Sequence, residues 1–350
     1  MSVFSTLFNT SGLPGLVLVL IIVSGLCLLL VGGDWLCRGA SSLALRLNVP
    51  TVVVGLTVVS IATSAPELFT ALVAVLRDQP GLAIGNVVGS NAANMGLILG
   101  SAALIAPIGV HYRLIRWEVP ILLAVTVLFG FLAVFGGGIG RIDGVLLLVV
   151  TAAYLCLITR TARESRIGKE IEEEIPSPVR SAGACVGLIL AGSALLWAGA
   201  DLLVDSATEA ASRMGVSETL IGITVVAVGT SLPELGATIA AAVRRQSGII
   251  VGNIIGSNLF NIVLICGVVG TVIPFPIDSL LVRVEIPSLI LFTIVFAWFV
   301  VSHRRVSRME GGLLLVLYAM FILLSSLAQS GQFGVSAEAE AAAPLAAPSP

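Results

Sequence analysis

Charged residues are scarce in this chain of 350 residues, since Asp, Glu, Lys and Arg together make up only 11% of it. A soluble globular domain carries about 25%. Hydrophobic residues make up 57%, so lipid rather than water is the expected solvent for most of the surface. The formal net charge of -2 gives no basis for nucleic-acid binding. The composition therefore predicts an integral membrane protein.

Histidine and cysteine are also rare, with two and five residues respectively. The cysteines are scattered, and they have neither the spacing of a metal site nor that of a disulfide framework. Neither histidine falls near the middle of a long apolar run, and the chain has no His-Glu-x-x-His arrangement, which argues against a membrane hydrolase. We therefore expect neither an enzyme nor a protein that needs a cofactor.

Ten apolar runs are long enough to cross the roughly 30 Å of hydrocarbon in a bilayer. The second and seventh runs are too long for a simple crossing, and each contains proline and polar residues, which predicts broken or tilted helices. The first run lacks the basic segment and the cleavage site of a signal peptide, so we expect it to remain as a span. The ten predicted spans are residues 13–31, 49–76, 81–110, 119–135, 142–158, 182–203, 216–243, 249–275, 286–301 and 311–327.

The chain contains a duplication in which corresponding residues lie 167 positions apart. A Thr-Ser-x-Pro-Glu segment ends at Glu67 and returns to end at Glu234. A Gly-Ser-Asn-x-x-Asn segment ends at Asn94 and returns to end at Asn261. An unchanged offset over so long a span indicates two half-proteins of five spans each, with no net insertion between them.

Most of the 18 Lys and Arg residues fall in alternate loops, and the positive-inside rule assigns those loops to the cytoplasm. Both termini are then expected on the non-cytoplasmic side of the cell (inner) membrane. Because each copy has an odd number of spans, the two copies must be inverted relative to each other. The predicted fold class is an all-α integral membrane protein with ten transmembrane helices, arranged as two inverted five-helix repeats with broken helices at the midplane.

The expected domain organisation has four parts. A first half over residues 1–160 and a second half over residues 181–328 hold five helices each. The cytoplasmic linker over residues 161–180 is basic at its start and then acidic, and we interpret it as a solvated connection rather than a regulatory cation site. The tail over residues 329–350 is rich in Ala, Pro and Glu, which predicts disorder.

Two acidic residues, Glu67 and Glu234, lie far from any loop within these apolar spans. An ionised carboxylate near the bilayer centre costs at least about 2.5–3.5 kcal/mol, so such a residue marks a functional site. The same spans offer no Lys or Arg near their midpoints for an internal ion pair. Pro66 and Pro233 lack an N–H, which frees carbonyl oxygens in the preceding turn, and free carbonyls at membrane depth must line a cavity.

Neutral oxygen atoms accompany both acids. Carboxylate, hydroxyl, amide and carbonyl oxygens, without His or Cys, suit hard cations such as Ca²⁺ or Na⁺. Two negative charges match one Ca²⁺, two Na⁺ or two protons, which gives a physical basis for exchange. Packing alone does not require the second-motif amides in both copies, so we favour a role in cation binding. The candidate ligands besides the acids are Thr63, Ser64, Ser90, Asn94, Thr230, Ser231, Ser257 and Asn261.

The doubled motifs resemble the α-repeats of the Ca²⁺/cation antiporter superfamily, and residues 10–328 are similar to its short prokaryotic sodium/calcium exchangers. The resemblance implies alternating access around a midplane site in which Glu67 and Glu234 bind Ca²⁺. It also implies backbone oxygens of Ser60 and Ala227 as further Na⁺ ligands, and sliding of each repeat's first helix over a fixed core. The expected partners are then the lipid bilayer and the transported Ca²⁺ and Na⁺ (or H⁺), with no obligatory protein partner.

The chain departs from the family pattern at two places. Ala62 stands where the second copy has Gly229, and Asn94 and Asn261 are both amides, whereas several sodium-coupled relatives have an Asp at one of these positions. The missing charge keeps Ca²⁺/H⁺ exchange open as an alternative to Ca²⁺/Na⁺ exchange. A passive cation channel is the third hypothesis, and it is less favoured because inverted repeats with broken helices are typical of carriers.

Overall fold

A computed structural model of the chain describes residues 13–47, 49, 51–76, 80–112, 114–164, 179, 181–213, 227–277 and 281–329. Most of the linker predicted over residues 161–180 and nearly all of the tail predicted over residues 329–350 lie outside this described part. The first part of the seventh predicted span, through residue 226, also lies outside it.

The described first half consists of eight α-helices, three π-helical segments and two short strands. Several of these elements follow one another directly and form longer rods. In chain order they are α1 (Gly15–Leu47), α2 (Thr51–Val54), π1 (Gly55–Val59), α3 (Ser60–Thr63), α4 (Ala65–Leu76), α5 (Pro80–Ala93), π2 (Asn94–Ile98), α6 (Leu99–Ile105), β1 (Ile108–Gly109), π3 (Leu114–Glu118), α7 (Val119–Gly136), β2 (Gly138–Ile139) and α8 (Arg141–Glu164).

The second half repeats this order, and its corresponding elements lie 167 residues further along the chain. The duplicated sequence therefore forms the same local structure in both halves. The described elements are α9 (Ala182–Arg213), α10 (Ala227–Thr230), α11 (Leu232–Val243), α12 (Ser247–Phe260), π4 (Asn261–Ile265), α13 (Cys266–Val272), β3 (Phe275–Pro276), π5 (Leu281–Glu285), α14 (Ile286–His303), β4 (Arg305–Val306) and α15 (Arg308–Gln329).

The long apolar run over residues 49–76 is broken, as its proline and polar content predicts. α3 ends at Thr63, α4 begins at Ala65, and the rods on either side of the break are bent by 40° relative to each other. Pro66 lies in the first turn after the break, where its missing N–H and its ring prevent the preceding helix from continuing. In the described part of the second long run, α10 and α11 are separated at Ser231 in the same way.

The first helix of each half is much longer than the apolar run that predicts it. All but the first two residues of the run over 13–31 lie in a helix that extends over Gly15–Leu47, and the run over residues 182–203 lies within Ala182–Arg213. The additional residues of α1 include buried Gly, Ala and Ser residues. These small residues hold the helix by close packing and contribute little to a hydropathy profile, so the profile alone stops too early.

The long helices α1 and α9 pack backbone against backbone. A Cβ atom added at Gly32 would lie 2.8 Å from the carbonyl oxygen of Gly192, and one added at Gly199 would lie 2.7 Å from that of Gly25. Residue numbers rise along one helix as they fall along the other, so the two helices are antiparallel. Glycine is needed at these contacts because any side chain would separate the two backbones.

The interior of the molecule is formed by α5 and α6 in one half and by α12 and α13 in the other. In the most apolar 18-residue stretch of Ser247–Val272, 94% of the residues are buried, compared with 22% for Gly15–Leu47. One side of α1 exposes large apolar side chains, including Leu16, Leu20 and Val23, as a lipid-facing helix does. The polar residues of the second motif therefore lie on enclosed helices.

Among the described residues, eight helices are long and apolar enough to cross a membrane, or nine if the bent run through α2 to α4 is one span. Two antiparallel strand pairs accompany them, which the sequence did not indicate. β1 pairs with β4, and β2 pairs with β3. Each pair contains one strand from each half. It provides backbone hydrogen-bond partners for short segments that directly follow a helix.

Candidate functional site

The breaks in the two long runs both fall at a serine. Ser64 lies between α3 and α4 with φ −83° and ψ 4°, and Ser231 lies between α10 and α11 with φ −89° and ψ 5°. The matching backbone angles show that the two Thr-Ser-x-Pro-Glu segments adopt the same local structure. In each copy the glutamate follows in the first turn of the next helix, at Glu67 in α4 and Glu234 in α11.

Glu67 and Glu234 are completely buried, with 0% of each residue exposed, so neither faces lipid. Their carboxyl groups are close enough to repel each other when both are charged. The hydroxyl of Ser64, from the first half, donates to Glu234 Oε1 at 3.0 Å. The hydroxyl of Ser231, from the second half, lies beside the Glu67 carboxyl group. Each acid is thus approached by the serine of the opposite copy.

The amides of α5 and α12 connect the halves in the same crosswise manner. Thr230 Oγ1 donates to Asn86 Oδ1 at 3.0 Å, and Thr63 Oγ1 donates to Asn253 Oδ1 at 3.3 Å. Asn86 also donates through Nδ2 to the backbone carbonyl of Glu67 at 3.4 Å. These contacts place the first motif of one copy against the second motif of the other, so the predicted site residues form one cluster.

Many polar atoms of this cluster are buried without a hydrogen-bond partner among the described residues. Nearly all buried polar side-chain atoms in proteins have such a partner, and leaving one unpaired costs about 1–3 kcal/mol, or more when it is charged. A concentration of unpaired oxygens therefore indicates a place for a ligand. The unpaired atoms are both carboxylate oxygens of Glu67, Oε2 of Glu234, the hydroxyl oxygens of Ser90 and Ser231, and the amide oxygens and nitrogens of Asn94 and Asn261.

The remaining predicted residues have more ordinary surroundings. Ser257 Oγ donates to Asn253 Oδ1 at 3.4 Å. The Ser60 carbonyl accepts the backbone N–H of Ser64 at 2.9 Å, and the Thr63 hydroxyl lies within hydrogen-bond distance of it at 3.4 Å. Ala227 is the first residue of α10, so its carbonyl points along this helix toward the break at Ser231.

Asn91 and Asn258 form a second buried polar contact between the copies, which sequence reasoning did not select. They occupy equivalent positions in the two copies, both are buried, and Asn91 Nδ2 donates to the Asn258 carbonyl at 3.3 Å. Their remaining amide atoms are unpaired. The duplicated Gly-Ser-Asn-x-x-Asn motif includes both residues, but the predicted ligands took only its serine and its last asparagine.

The π-helical segments π2 and π4 were not predicted. They begin at Asn94 and Asn261, the last residues of the second motif. A π-helical turn widens a helix locally and is frequent at functional sites. A motif without proline gives little indication of this, because the widening depends on how neighbouring helices pack.

Neither Glu67 nor Glu234 forms an ion pair with a basic side chain among the described residues. Ion pairs of that part of the chain include Asp34 with Arg38 and Arg244, Glu209 with Arg213, and Glu310 with His303, none of which involves the two acids. No three His, Cys, Asp or Glu side chains in the described part of the chain are close enough to hold a metal ion together. A cation in the cluster would therefore rely on two carboxylates and on neutral oxygens.

A family model described as "Sodium/calcium exchanger protein" matches residues 17–160 and 185–327. The chain is 36% identical to inner membrane protein YrbG of Escherichia coli (strain K12), over 87% of this chain and 94% of that protein. It is 31% identical to sodium/calcium exchanger MaX1 of Methanosarcina acetivorans, over 87% of this chain and 97% of that protein.

Solved structures of the sodium-calcium exchanger NCX_Mj are also similar. One of them, soaked with Na⁺ and Sr²⁺, superposes with a TM-score of 0.77 at 32% sequence identity. The match covers 89% of this chain and 99% of that one. The similarity therefore extends over both halves and includes the clustered polar residues.

Proposed function

The chain belongs to the sodium/calcium exchanger protein family, and from this premise we propose that it is a secondary antiporter that exchanges Ca²⁺ for Na⁺ by alternating access. The cluster of buried, unpaired oxygens around Glu67 and Glu234 is the observation that carries the proposal. Two buried carboxylates that repel each other are unfavourable unless protons or cations neutralise them. A transported cation supplies that charge.

The proposed ligands come from both copies. Ca²⁺ takes six to eight oxygen ligands in a flexible arrangement, and carboxylate, hydroxyl, amide and carbonyl oxygens are all suitable. Because one Ca²⁺ or two Na⁺ neutralise the same two carboxylates, the ions compete for the cluster, and competition couples their movements. The proposed set is Glu67, Glu234, Thr63, Thr230, Ser64, Ser231, Ser90, Ser257, Asn94 and Asn261, with the backbone oxygens of Ser60 and Ala227.

The proposed architecture is ten transmembrane helices in two inverted repeats over residues 1–160 and 181–328. The antiparallel packing of α1 against its counterpart α9 supports inversion. The strand pairs support it as well, because β1 and β2 lie at opposite ends of α7 and pair with β4 and β3 at opposite ends of α14. α7 and α14 must then run in opposite directions. The remaining span is the one predicted over residues 216–243, in which residues before α10 would complete the crossing begun by α10 and α11.

The proposed transport cycle moves α1 and α9 together over the enclosed helices. These two helices contact each other closely through glycine backbones. They are also among the least buried of the membrane-crossing helices. Because α1 and α9 contact each other more closely than they contact the enclosed helices, they can move as one body. This movement would expose the cluster first to one side of the membrane and then to the other.

The orientation we propose has both termini on the non-cytoplasmic side. The end of the molecule at β1 and β4 carries Arg304 and Arg305, whereas the equivalent positions at the β2 and β3 end are Gly137 and Gly138. The positive-inside rule therefore assigns the β1–β4 end to the cytoplasm. Cysteine accessibility at residues 136 and 305, which are both exposed, from either side of intact cells tests this assignment.

Ca²⁺/H⁺ exchange is the second candidate, favoured by the amides at Asn94 and Asn261. No third acid groups with Glu67 and Glu234 in the described part of the chain, so two protons on these acids would neutralise the empty site as fully as two Na⁺ would. Sodium remains our first choice because the proposed cation ligands include many neutral oxygens, which bind Na⁺ but add nothing to proton binding.

Everted vesicles test the proposal directly. Vesicles loaded with Na⁺ should accumulate Ca²⁺ when diluted into Na⁺-free medium, and vesicles loaded with K⁺ should not. Uptake driven only by a pH gradient would replace Na⁺ with H⁺ in the mechanism. Uptake that needs no counter-ion at all would contradict exchange and indicate a channel.

A further inference from the structure

A second site lies at the β1–β4 end, outside the ion-binding cluster. A cavity of about 300 Å³ opens between the turn from α6 to β1, the turn from α11 to α12, and the start of α15. Its polar lining consists of Arg245, Ser247 and Arg308. The other walls include Ile105, Pro107 and Ile108. The cavity therefore combines two guanidinium groups with an apolar wall.

Neither arginine forms an ion pair with a carboxylate among the described residues. Arg308 Nη2 donates to the Ile105 carbonyl at 3.3 Å, which holds its side chain along the cavity. Arg245 follows the end of α11 in a left-handed conformation, with φ 57°. Glu310 is close in sequence to Arg308, but it accepts the backbone N–H and the hydroxyl of Ser307 at 2.8 and 2.7 Å. The positive charges of the cavity are thus available to an anion.

The two copies differ at this place. The residue equivalent to Arg245 in the first copy is Asp78, and the residue equivalent to Arg308 is Arg141. The duplicated sequence therefore does not require two arginines at this pair of positions. The turn that carries Arg245 also leads into the N-terminus of α12, whose first N–H groups favour a negative charge.

The apolar wall decides between a lipid and a free anion. Ile105 is 44% exposed and follows Leu104, which is 46% exposed, so the rim of the cavity continues into the lipid-facing surface. A soluble phosphate would gain nothing from this wall, whereas an acyl chain would cover it. We propose that the cavity binds the phosphate headgroup of an anionic phospholipid in the cytoplasmic leaflet, with Arg245 and Arg308 on the phosphate and an acyl chain along Ile105.

Lipid retention by the purified full-length protein in detergent tests this site, because no bilayer surface charge is then present. Native mass spectrometry should show phosphatidylglycerol retained in preference to phosphatidylcholine. Arg245→Gln and Arg308→Gln should each weaken that retention about tenfold, as expected for the loss of a charge-assisted hydrogen bond. Arg245→Lys should fall between the wild type and Arg245→Gln, since Lys keeps the charge but loses the planar fork.

Two matched variants control for charge alone. Arg305→Gln removes an exposed arginine at the same end, on β4 and outside the cavity lining, and Arg141→Gln removes the equivalent of Arg308 at the other end. Both should retain phosphatidylglycerol like the wild type. Equal losses in all four Gln variants, or unchanged retention in Arg245→Gln and Arg308→Gln, would overturn the site. Competition by inorganic phosphate at similar concentration would replace the lipid with a soluble anion. Since retention is measured without transport, the result does not depend on which ions are exchanged.

Discussion

The two copies of the duplicated unit are most alike where they face each other and least alike at the membrane surfaces. At the centre, Glu67 and Glu234 are buried to the same extent in helix turns of the same shape. At the surface, Arg304 and Arg305 of one copy correspond to Gly137 and Gly138 of the other. We expect this contrast if the central residues bind one ion together and if the two ends, in the inverted arrangement proposed above, meet opposite leaflets. Similarity between the copies then supports a shared site, and the differences between them support the proposed orientation.

Exchange of either central acid for its amide should have the largest effect. Two unit charges 4 Å apart interact by about 4 kcal/mol at an effective dielectric constant of 20, so removing one carboxylate should weaken Ca²⁺ binding roughly a thousandfold. Glu67→Gln and Glu234→Gln should therefore both abolish Ca²⁺ uptake in vesicles. Both variants should still elute as monodisperse protein, because the amide has the same shape. Retained exchange in one variant would show that the two copies are unequal at the centre and would contradict the ligand assignment.

Substitution at the α1–α9 contact should have the next largest effect. Gly32 and Gly199 are equivalent positions, and an added Cβ at either one would lie under 3 Å from backbone of the opposite helix. Overpacking typically costs about 1–3 kcal/mol, so Gly32→Ala and Gly199→Ala should each lower the thermal unfolding temperature and slow exchange by a similar factor.

Gly187→Ala is the matched control for this contact. Gly187 also lies in α9, but it is exposed and has no described atom within 4 Å of an added Cβ. This variant should unfold and transport like the wild type. Clearly different effects of Gly32→Ala and Gly199→Ala would mean that the two first helices do not move as equivalent partners.

Substitution of the serines at the helix breaks should have the smallest effect, and it compares one equivalent side chain in the two copies. Ser64 donates to Glu234 at 3.0 Å, whereas Ser231 lies beside Glu67 without a hydrogen bond. Hydrogen bonds to charged groups contribute about 1.5–3 kcal/mol. Ser64→Ala should therefore raise the Ca²⁺ concentration for half-maximal uptake about tenfold, and Ser231→Ala should raise it about twofold. Equal effects would indicate that the bound cation makes the two copies equivalent.

Much of the fold could be predicted from the sequence, and the misses have physical causes. The break before Pro66 follows from a missing N–H, which is a local property. The full length of α1 does not, because Gly32 and Gly39 are held by contact with α9 rather than by their own hydropathy. The strand pairs were also missed, since each joins segments that are distant in sequence and too short to show an alternating pattern.

The family resemblance inferred from the doubled motifs is confirmed by the family model and by relatives that cover most of the chain. The assignment of individual ligands stays a prediction. The structure adds Asn91 and Asn258 to the residues worth testing, because they are buried, they contact each other, and their remaining amide atoms are unpaired. No spacing rule along one helix selects them, since their contact is between helices.

The sequence by itself determined that this chain lies in a membrane, that it is duplicated, and which acids are too costly to bury without a purpose. Hydropathy, repeat offset and buried charge are properties that can be read residue by residue. Only the tertiary structure decided that Ser64 faces Glu234 and that α1 lies against α9, because these contacts cross from one copy to the other. The repeated motifs are the same in both copies, and a motif does not specify which residues of the other copy it will contact.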